Sequence, residues 1–241
     1  MRAILDEQAS LLIEEVLRQA GVKIIKGHIV PEILGQHLVE GAILSNGEQI
    51  SCDLVVVATG VTPRTELATE VGIRVNQGIV VDRFMTTSHP DIYSCGDVAE
   101  AYEFVQGLNW LVPIWPTAYI GGRIAGYNMA GHKAEYPGGT NMNSLNYFGL
   151  NVASAGLVNP PEHAGYEIIS RRKDGVYKRI VLKDDIIVGM VFAGEIEKSG
   201  LIISLMRDRI NVRKFKQELL TDDFGLASLP RELWQESLRI G

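Results

Sequence analysis

Apolar residues recur at helical spacing near the start of the chain. They form one face of a helix predicted from Asp6 to Ala20, and the members of this face are Leu5, Ala9, Leu12, Ile13, Val16, Leu17 and Ala20. Asp6 can cap the amino end, and Gly21 stands where a left-handed residue commonly follows a helix. The pattern therefore predicts an amphipathic helix with a wide apolar face that needs cover.

Shorter apolar segments after this helix predict strands. Residues 22–26 form one such segment, and alternating segments follow at 29–34 and 38–44. Asn46 and Gly47 predict a two-residue hairpin turn, because both central positions of that turn need a positive φ. Residues 54–58 are apolar at every position, which is typical of a strand covered on both faces.

The middle of the chain alternates between short elements. The pattern predicts a helical turn at 67–71 ended by Gly72, short strands at 73–75 and 79–81, and a strand at 92–95. Residues 101–111 show no regular pattern. A helix is predicted at 117–130, with many small residues on one side: Ala118, Gly121, Gly122, Ala125 and Gly126. Because glycine weakens a helix by about 1 kcal/mol relative to alanine, something should approach this side closely, either a packed strand or a ligand.

The pattern over about the last hundred residues predicts a sheet with helices. Strands are predicted at 145–148, 152–158, 166–171, 177–182 and 186–192, with turns at Asp174-Gly175 and Asp184-Asp185. Helices are predicted at 197–208 and near 212–220. The end of the chain, 224–241, contains Leu229, Leu233 and Trp234 and predicts an amphipathic helix. Tyr136-Pro-Gly-Gly139 is the best linker candidate before this region.

The strand at 92–95 ends in Gly96 and Asp97, and this is the strongest chemical signal in the chain. Glycine lets the backbone come close to a ligand, and a carboxylate at the carboxyl edge of a sheet can accept hydrogen bonds from a pair of sugar or ribitol hydroxyls. A plain turn after a strand is the alternative interpretation, and this short segment considered by itself favours that alternative.

Composition narrows the class of protein. The chain has 241 residues, 46% of them hydrophobic and 22% charged, and its net charge of −6 argues against nucleic-acid binding. Two cysteines do not make a disulfide framework, no apolar run reaches the length of a membrane span, and no signal peptide opens the chain, so we expect a cytoplasmic protein. Five scattered histidines lack metal-ligand spacing, and no metal site is expected.

Several motifs occur together in one order. Residues 53–60 (Asp-Leu-Val-Val-Val-Ala-Thr-Gly) precede Thr62-Pro63, residues 78–82 (Gly-Ile-Val-Val-Asp) lead to Gly96-Asp97, and a Trp-Pro-Thr-Ala segment opens the small-residue helix at 115–131. This series resembles the second half of the FAD- and NAD(P)-dependent pyridine nucleotide–disulfide oxidoreductases, in the branch of NADH oxidase, rubredoxin reductase and the nitrite reductase flavoprotein.

The resemblance implies an α/β fold in three parts. Residues 1–62 would be the C-terminal part of an NAD(P)-binding domain, residues 63–137 the C-terminal part of an FAD-binding domain, and residues 140–241 an α+β dimerisation domain. The family's Gly-x-Gly-x-x-Gly phosphate loop does not occur in the sequence. The resemblance therefore describes a C-terminal portion of the family fold, which we expect not to retain FAD or NAD(P)H by itself.

The resemblance also implies the site residues. The cofactor-binding set is Thr59, Gly60, Gly96, Asp97, Thr117 and Ala118, with Asp97 on the ribityl chain of FAD and the start of the 117–130 helix directed at the flavin. No catalytic side chain is expected, since the flavin performs the chemistry. The partner expected is a second copy of the chain through its C-terminal domain.

Three functions are consistent with this interpretation. The chain could be part of an oxidoreductase that passes hydride from NAD(P)H to FAD and on to an acceptor. It could be a non-catalytic dimerisation or assembly module. It could also be one half of a split flavoenzyme whose other chain carries the phosphate-binding loops.

Overall fold

The computed structural model describes residues 4–230 and divides the chain into two compact units. The smaller unit is Leu17–Thr62, and the larger unit comprises the residues up to Val16 together with those from Pro63 onward. Leu233 and Trp234 of the predicted terminal helix lie outside the described residues. Within the described part, no helix has both the length and the apolar composition needed to cross a membrane.

The first helix is confirmed. Helix α1 spans Glu7–Gln19, and the Asp6 carboxylate accepts a hydrogen bond from the backbone N–H of Ala9 at its amino end. At the other end Gly21 has φ of +84°, and the N–H groups of Gly21 and Val22 bond to the carbonyls of Arg18 and Leu17. These paired bonds around a left-handed glycine are the cap that the sequence predicts.

The smaller unit contains a three-stranded antiparallel sheet in the order β1-β2-β3. Its strands are β1 Glu32–Leu34, β2 Gly41–Ile43 and β3 Gln49–Ser51. The hairpin between β2 and β3 is confirmed, but its turn differs from the prediction. Only Gly47 has a positive φ, and the bonds Gly47 N–Leu44 O and Leu44 N–Glu48 O make a three-residue loop with a glycine bulge.

Two predicted strands of the smaller unit are wrong. Residues 22–26 and 54–58 have no ladder partner among the described residues and are not strands. The apolar side chains Leu54, Val56, Val57 and Val61 are exposed by 71–78%. A strand forms only where a neighbouring strand takes its hydrogen bonds, so a covered-strand pattern without a neighbour stays irregular.

The middle of the larger unit builds a second sheet. It contains helix α2 Glu66–Glu70 and the strands β4 Ile79–Val80, β5 Ala99–Glu103 and β6 Leu108–Leu111 in the order β4-β5-β6, with β4 parallel to β5. Residues 101–111, which the sequence left irregular, are therefore largely a hairpin. The Glu103 carboxylate accepts the N–H groups of Val105 and Gln106 and closes its turn.

The predicted strand at 92–95 is also wrong. This segment carries one isolated bridge, between Thr86 and Tyr93, and enters Gly96 in an extended conformation. Helix α3 follows at Trp115–Met129 and ends at Gly131 with φ of +79°, as the sequence predicts.

All five predicted strands of the C-terminal region are confirmed. They are β7 Met142–Tyr147, β8 Leu150–Gly156, β9 Glu167–Lys173, β10 Val176–Lys183 and β11 Ile186–Ala193, in one antiparallel sheet of order β7-β8-β11-β10-β9. Helix α4, Ser199–Arg207, buries Ile202, Leu205 and Met206 in the same core as Met190 and Phe192 of β11.

The helix predicted near 212–220 is wrong, since only a 3-10 turn forms there, at Lys216–Glu218. Val212 N bonds to the carbonyl of Asp185, and Asn211 bridges to Ile186, so residues 211–212 are held against the turn between β10 and β11, and turns follow them. The segment 136–139 is joined to β5 by hydrogen bonds between Gly139 and the backbone of Tyr102 and Phe104. The three-domain division at 62 and 140 stays a prediction.

Candidate flavin-facing site

Gly96 makes the turn that presents Asp97. Cys95 is extended, Gly96 has φ of +79°, and Gly96–Val98 form a short 3-10 turn before β5. A side chain would be strained at this φ, so the position favours glycine. The Asp97 side chain is exposed, and its carboxylate has no hydrogen bond or ion pair with any residue of the described chain.

The start of α3 provides backbone N–H groups without a side-chain cap. Ile114 occupies the cap position, its side chain cannot accept a hydrogen bond, and it is followed by Trp115 and Pro116. The Thr117 hydroxyl lies 2.7 Å from both the Val112 and Ile114 carbonyl oxygens, so it donates to the backbone. A helix start with open N–H groups and the positive end of the helix dipole attracts electron-rich groups.

The structure brings Gly96 and Ala118 together. A Cβ atom built at Gly96 would lie 3.9 Å from the Ala118 Cβ. The predicted site residues Gly96, Asp97, Thr117 and Ala118 therefore share one place in the larger unit, where the 95–98 turn meets the first turn of α3.

The glycines further along α3 have a packing role. A Cβ at Gly121 would lie 3.2 Å from Met85 Cε and 3.4 Å from Cys95 Cβ, and one at Gly122 would lie 3.8 Å from Cys95 Sγ. Of the two explanations that the sequence allows for the small residues, close packing accounts for this pair.

A small cavity adjoins the turn and adds residues that sequence reasoning missed. It holds about 10 Å³, room for about one water molecule, and its lining includes Met85, Trp110 and Tyr136 beside Gly96 and Thr117. Burial raises the pKa of the Tyr136 phenol to about 12, against a smaller lowering by Arg83. Tyr136 precedes the Pro-Gly-Gly segment predicted as a linker, and no local sequence pattern marks it as buried.

Glu100 fixes the backbone next to the site, and no local sequence pattern predicts this role. Its buried carboxylate accepts hydrogen bonds from the Asn76 side chain and from the N–H groups of Gln77 and Gly78, at 3.0–3.2 Å. These bonds fix the loop before β4 against β5, which begins two residues after Asp97. Glu100 therefore has a structural role, because its carboxylate holds together the segments next to the 95–98 turn.

The other two predicted residues belong to the smaller unit. Thr59 and Gly60 are exposed there, and Gly60 has φ of +109° with open space around it. The described residues contain no cluster of His, Cys, Asp and Glu that could hold a metal ion, and both Cys52 and Cys95 are free thiols.

Two family models match the chain. Residues 1–110 match the model of pyridine nucleotide-disulphide oxidoreductases, and residues 142–210 match the rubredoxin NAD+ reductase C-terminal domain. The second match covers strands β7 to β11 and helix α4.

Curated relatives and solved structures agree with these models. The chain is 32% identical to the nitrite reductase [NAD(P)H] of Bacillus subtilis over 88% of its own length and 26% of the relative's. It is 30% identical to the NADH-dependent phenylglyoxylate dehydrogenase subunit epsilon of Aromatoleum evansii over 97% of its own length and 55% of the relative's. The chain thus spans about a quarter to a half of these relatives.

A NAD-dependent persulfide reductase from A. fulgidus superposes with a TM-score of 0.79 at 26% identity, covering 88% of this chain and 43% of that one. An FAD-dependent pyridine nucleotide-disulphide oxidoreductase from Desulfovibrio vulgaris shares the fold, with a TM-score of 0.80 at 23% identity over 98% of this chain and 62% of that one. The predicted α/β class is confirmed. On these matches, the chain belongs to the pyridine nucleotide-disulphide oxidoreductase family.

Proposed function

We propose that this chain supplies the flavin-facing part of an FAD-dependent oxidoreductase that accepts hydride from NAD(P)H. The observation that carries the proposal is the juxtaposition at the 95–98 turn. Asp97, an exposed carboxylate without a partner among the described residues, follows a left-handed glycine that lies against the uncapped start of α3. The family is FAD- and NAD(P)H-dependent, and these groups suit a flavin.

Each residue has a distinct role in this proposal. Asp97 accepts hydrogen bonds from ribityl hydroxyls, and Gly96 allows the close approach. The backbone N–H of Thr117 faces the electron-rich O2 edge of the isoalloxazine, where the helix dipole stabilises negative charge. Ala118, whose own N–H donates to the Ile114 carbonyl, lies against Gly96 at the same place. When FAD is bound, it supplies the two-electron chemistry, and these residues bind and orient it. Thr59 and Gly60 belong to the same cofactor-binding set.

Flavin binding tests the proposal. The sequence contains no Gly-x-Gly-x-x-Gly loop for the pyrophosphate, so the chain should bind FAD weakly and lose it on dialysis. In a fluorescence titration, Asp97→Asn should raise the Kd for FAD about fivefold, the effect of a lost charge-assisted hydrogen bond. Asp91→Asn is the matched control, because Asp91 is also exposed and its carboxylate has no hydrogen bond or ion pair with any described residue. Equal Kd values for the wild type and Asp97→Asn would contradict the assignment.

The exposed apolar segment of the smaller unit supports a further part of the proposal, which is that the catalytic assembly is larger than these 241 residues. Leu54, Val56 and Val57 belong to a segment with the pattern of a strand covered on both faces, yet they are exposed. Strands from another stretch of polypeptide, on the same chain or on another, would cover them. This supports a catalytic assembly larger than these 241 residues over a module that only mediates assembly.

The oligomer is part of the same proposal. We place a two-fold homodimer interface in residues 140–241, as the resemblance implies. Large apolar side chains are exposed in this region, among them Leu145, Phe148 and Ile168.

Two free thiols are consistent with the cytoplasmic location that the sequence suggests.

A further inference from the structure

A groove of about 440 Å³ lies in the larger unit, away from the 95–98 turn. We call it the basic groove. Its walls come from the β5–β6 turn, the residue after β8, the β10–β11 turn and the residues after α4. Its volume is within the range of small-molecule sites, and none of the residues assigned to the flavin lines it.

The floor of the basic groove is apolar and built from backbone that is already paired. Leu157, Ile186 and Val188 form it, and Val188 is buried. The N–H of Leu157 bonds to the Val188 carbonyl at 2.7 Å, so the floor does not depend on a ligand for its shape. A preformed apolar floor of this kind accepts the hydrocarbon part of a ligand.

Two cations also line the basic groove and have no acidic partner among the described residues. Lys183 and Arg209 have no carboxylate within ion-pair distance among the described residues, although the exposed Asp184 lies on the rim. The neighbouring grooves differ in this respect. Arg171 pairs with Asp222, Lys178 with Glu195, and Lys216 with both Glu167 and Asp185, so the positive charge there is neutralised.

Backbone oxygens hold the two cations in place. Lys183 Nζ donates to the Ala164 carbonyl at 2.9 Å and lies 4.5 Å from the centre of the Tyr166 ring. Arg209 donates from Nη1 to the Phe104 carbonyl at 3.3 Å. Each side chain keeps further N–H groups for another acceptor, and because its position is already fixed, binding costs it less conformational entropy.

We infer that the basic groove binds a small organic anion, with its apolar body on Leu157, Ile186 and Val188 and its carboxylate between Lys183 and Arg209. The charges carry this inference, because an apolar floor beside two unneutralised cations on a chain of net charge −6 is complementary to an anion with a hydrocarbon part. This site is independent of the proposed flavin function.

The probe for the test is 1-naphthylacetate, with its uncharged amide 1-naphthylacetamide as the matched ligand. Titration calorimetry on the full chain should give a Kd for the acid about tenfold lower than for the amide, as expected for a charge-assisted hydrogen bond. Lys183→Gln and Arg209→Gln should each weaken binding of the acid about tenfold and leave binding of the amide unchanged. Lys183→Arg keeps the charge and should retain binding.

Lys214→Gln is the protein control, because Lys214 is an exposed cation outside the groove, and it should leave the Kd unchanged. Circular dichroism checks that each variant is folded. Equal affinity for acid and amide, equal weakening by Lys214→Gln, or no heat of binding for the acid would overturn the inference. None of these results depends on FAD, so they leave the flavin proposal untouched.

Discussion

The Tyr177 hydroxyl donates a 2.5 Å hydrogen bond to Asp6 Oδ2, which joins the start of α1 to strand β10 of the C-terminal sheet. Arg179 Nη1 contacts the same oxygen at 2.9 Å, and the Asp6 side chain is only 2% exposed. Asn159 Nδ2 adds a bond to the Leu5 carbonyl. The residue before α1, Asp6, is therefore fixed to strand β10 by its buried carboxylate, which accepts hydrogen bonds from Ala9, Tyr177 and Arg179.

Removing the Asp6 carboxylate should destabilise the larger unit. Asp6→Ala leaves the partly buried Arg179 guanidinium without its acidic partner and removes the acceptor of the Ala9 N–H, and breaking a buried pair from one side costs about 3–5 kcal/mol. Urea denaturation measures the free energy of unfolding. Glu7→Ala, at the exposed neighbouring position, is the control and should change it by less than about 0.5 kcal/mol. A loss below about 1 kcal/mol for Asp6→Ala would show that the cluster does not stabilise the fold.

Stability should fall at alkaline pH because of the buried phenols. Burial raises the Tyr136 pKa from 10.0 to about 12, and burial together with the bond to Asp6 raises the pKa of Tyr177 further above its usual value. Above pH 10 the unfolded chain loses these protons while the folded chain keeps them, so the free energy of unfolding decreases as pH rises towards 12. Tyr136→Phe should make this decrease shallower. An unchanged slope for Tyr136→Phe between pH 10 and 12 would contradict the assignment to this phenol.

Replacing either of two glycines by alanine should change the stability of the protein, and the two changes should have opposite signs. Gly126 is exposed in α3 with nothing within 4 Å of an added Cβ, so Gly126→Ala should stabilise the protein by about 0.5–1 kcal/mol. At Gly189 an added Cβ would lie 2.0 Å from the Leu157 carbonyl oxygen, which forces the backbone of β8 and β11 apart. Gly189→Ala should therefore lower the melting temperature. The same sign for both variants would refute this account of the packing.

The chain should sediment as a dimer at micromolar concentration. Leu145 and Phe148 are exposed by 49% and 68% at the β7–β8 hairpin, and replacing both by Asp should shift the equilibrium towards monomer. Leu67→Asp is the control, since Leu67 is exposed by 82% outside residues 140–241. A wild-type species of 26.5 kDa would reject the dimer, and a dimer that persists in the Leu145→Asp/Phe148→Asp variant would place the interface elsewhere.

The elements that were predictable from sequence are those with a local signal. The α1 helix has an apolar face, a capping Asp6 and a left-handed Gly21, and each strand of the C-terminal sheet is bounded by turns such as Asp184-Asp185, where both φ values are positive. Residues 54–58 show the opposite case, because a strand depends on neighbours that the pattern itself does not contain.

The sequence predicted the backbone positions of the site, but it did not predict the side-chain contacts around them. Gly96 and the small residues of α3 carried the resemblance, and the structure places Gly96 beside Ala118. Three features depend on contacts between distant residues and left no local trace. They are the use of the Thr117 hydroxyl by the Val112 and Ile114 carbonyls, the Glu100 carboxylate under the 76–78 loop, and the burial of Tyr136.

The central claim is that the 95–98 turn and the start of α3 face the flavin. Amide chemical shifts of the isotopically labelled chain, followed by NMR during addition of FAD, test it most directly. We predict that the largest shifts occur at Gly96, Asp97, Thr117 and Ala118, and that Asp97→Asn reduces them at equal FAD concentration. Shifts confined to other residues, or none at the start of α3, would contradict the claim.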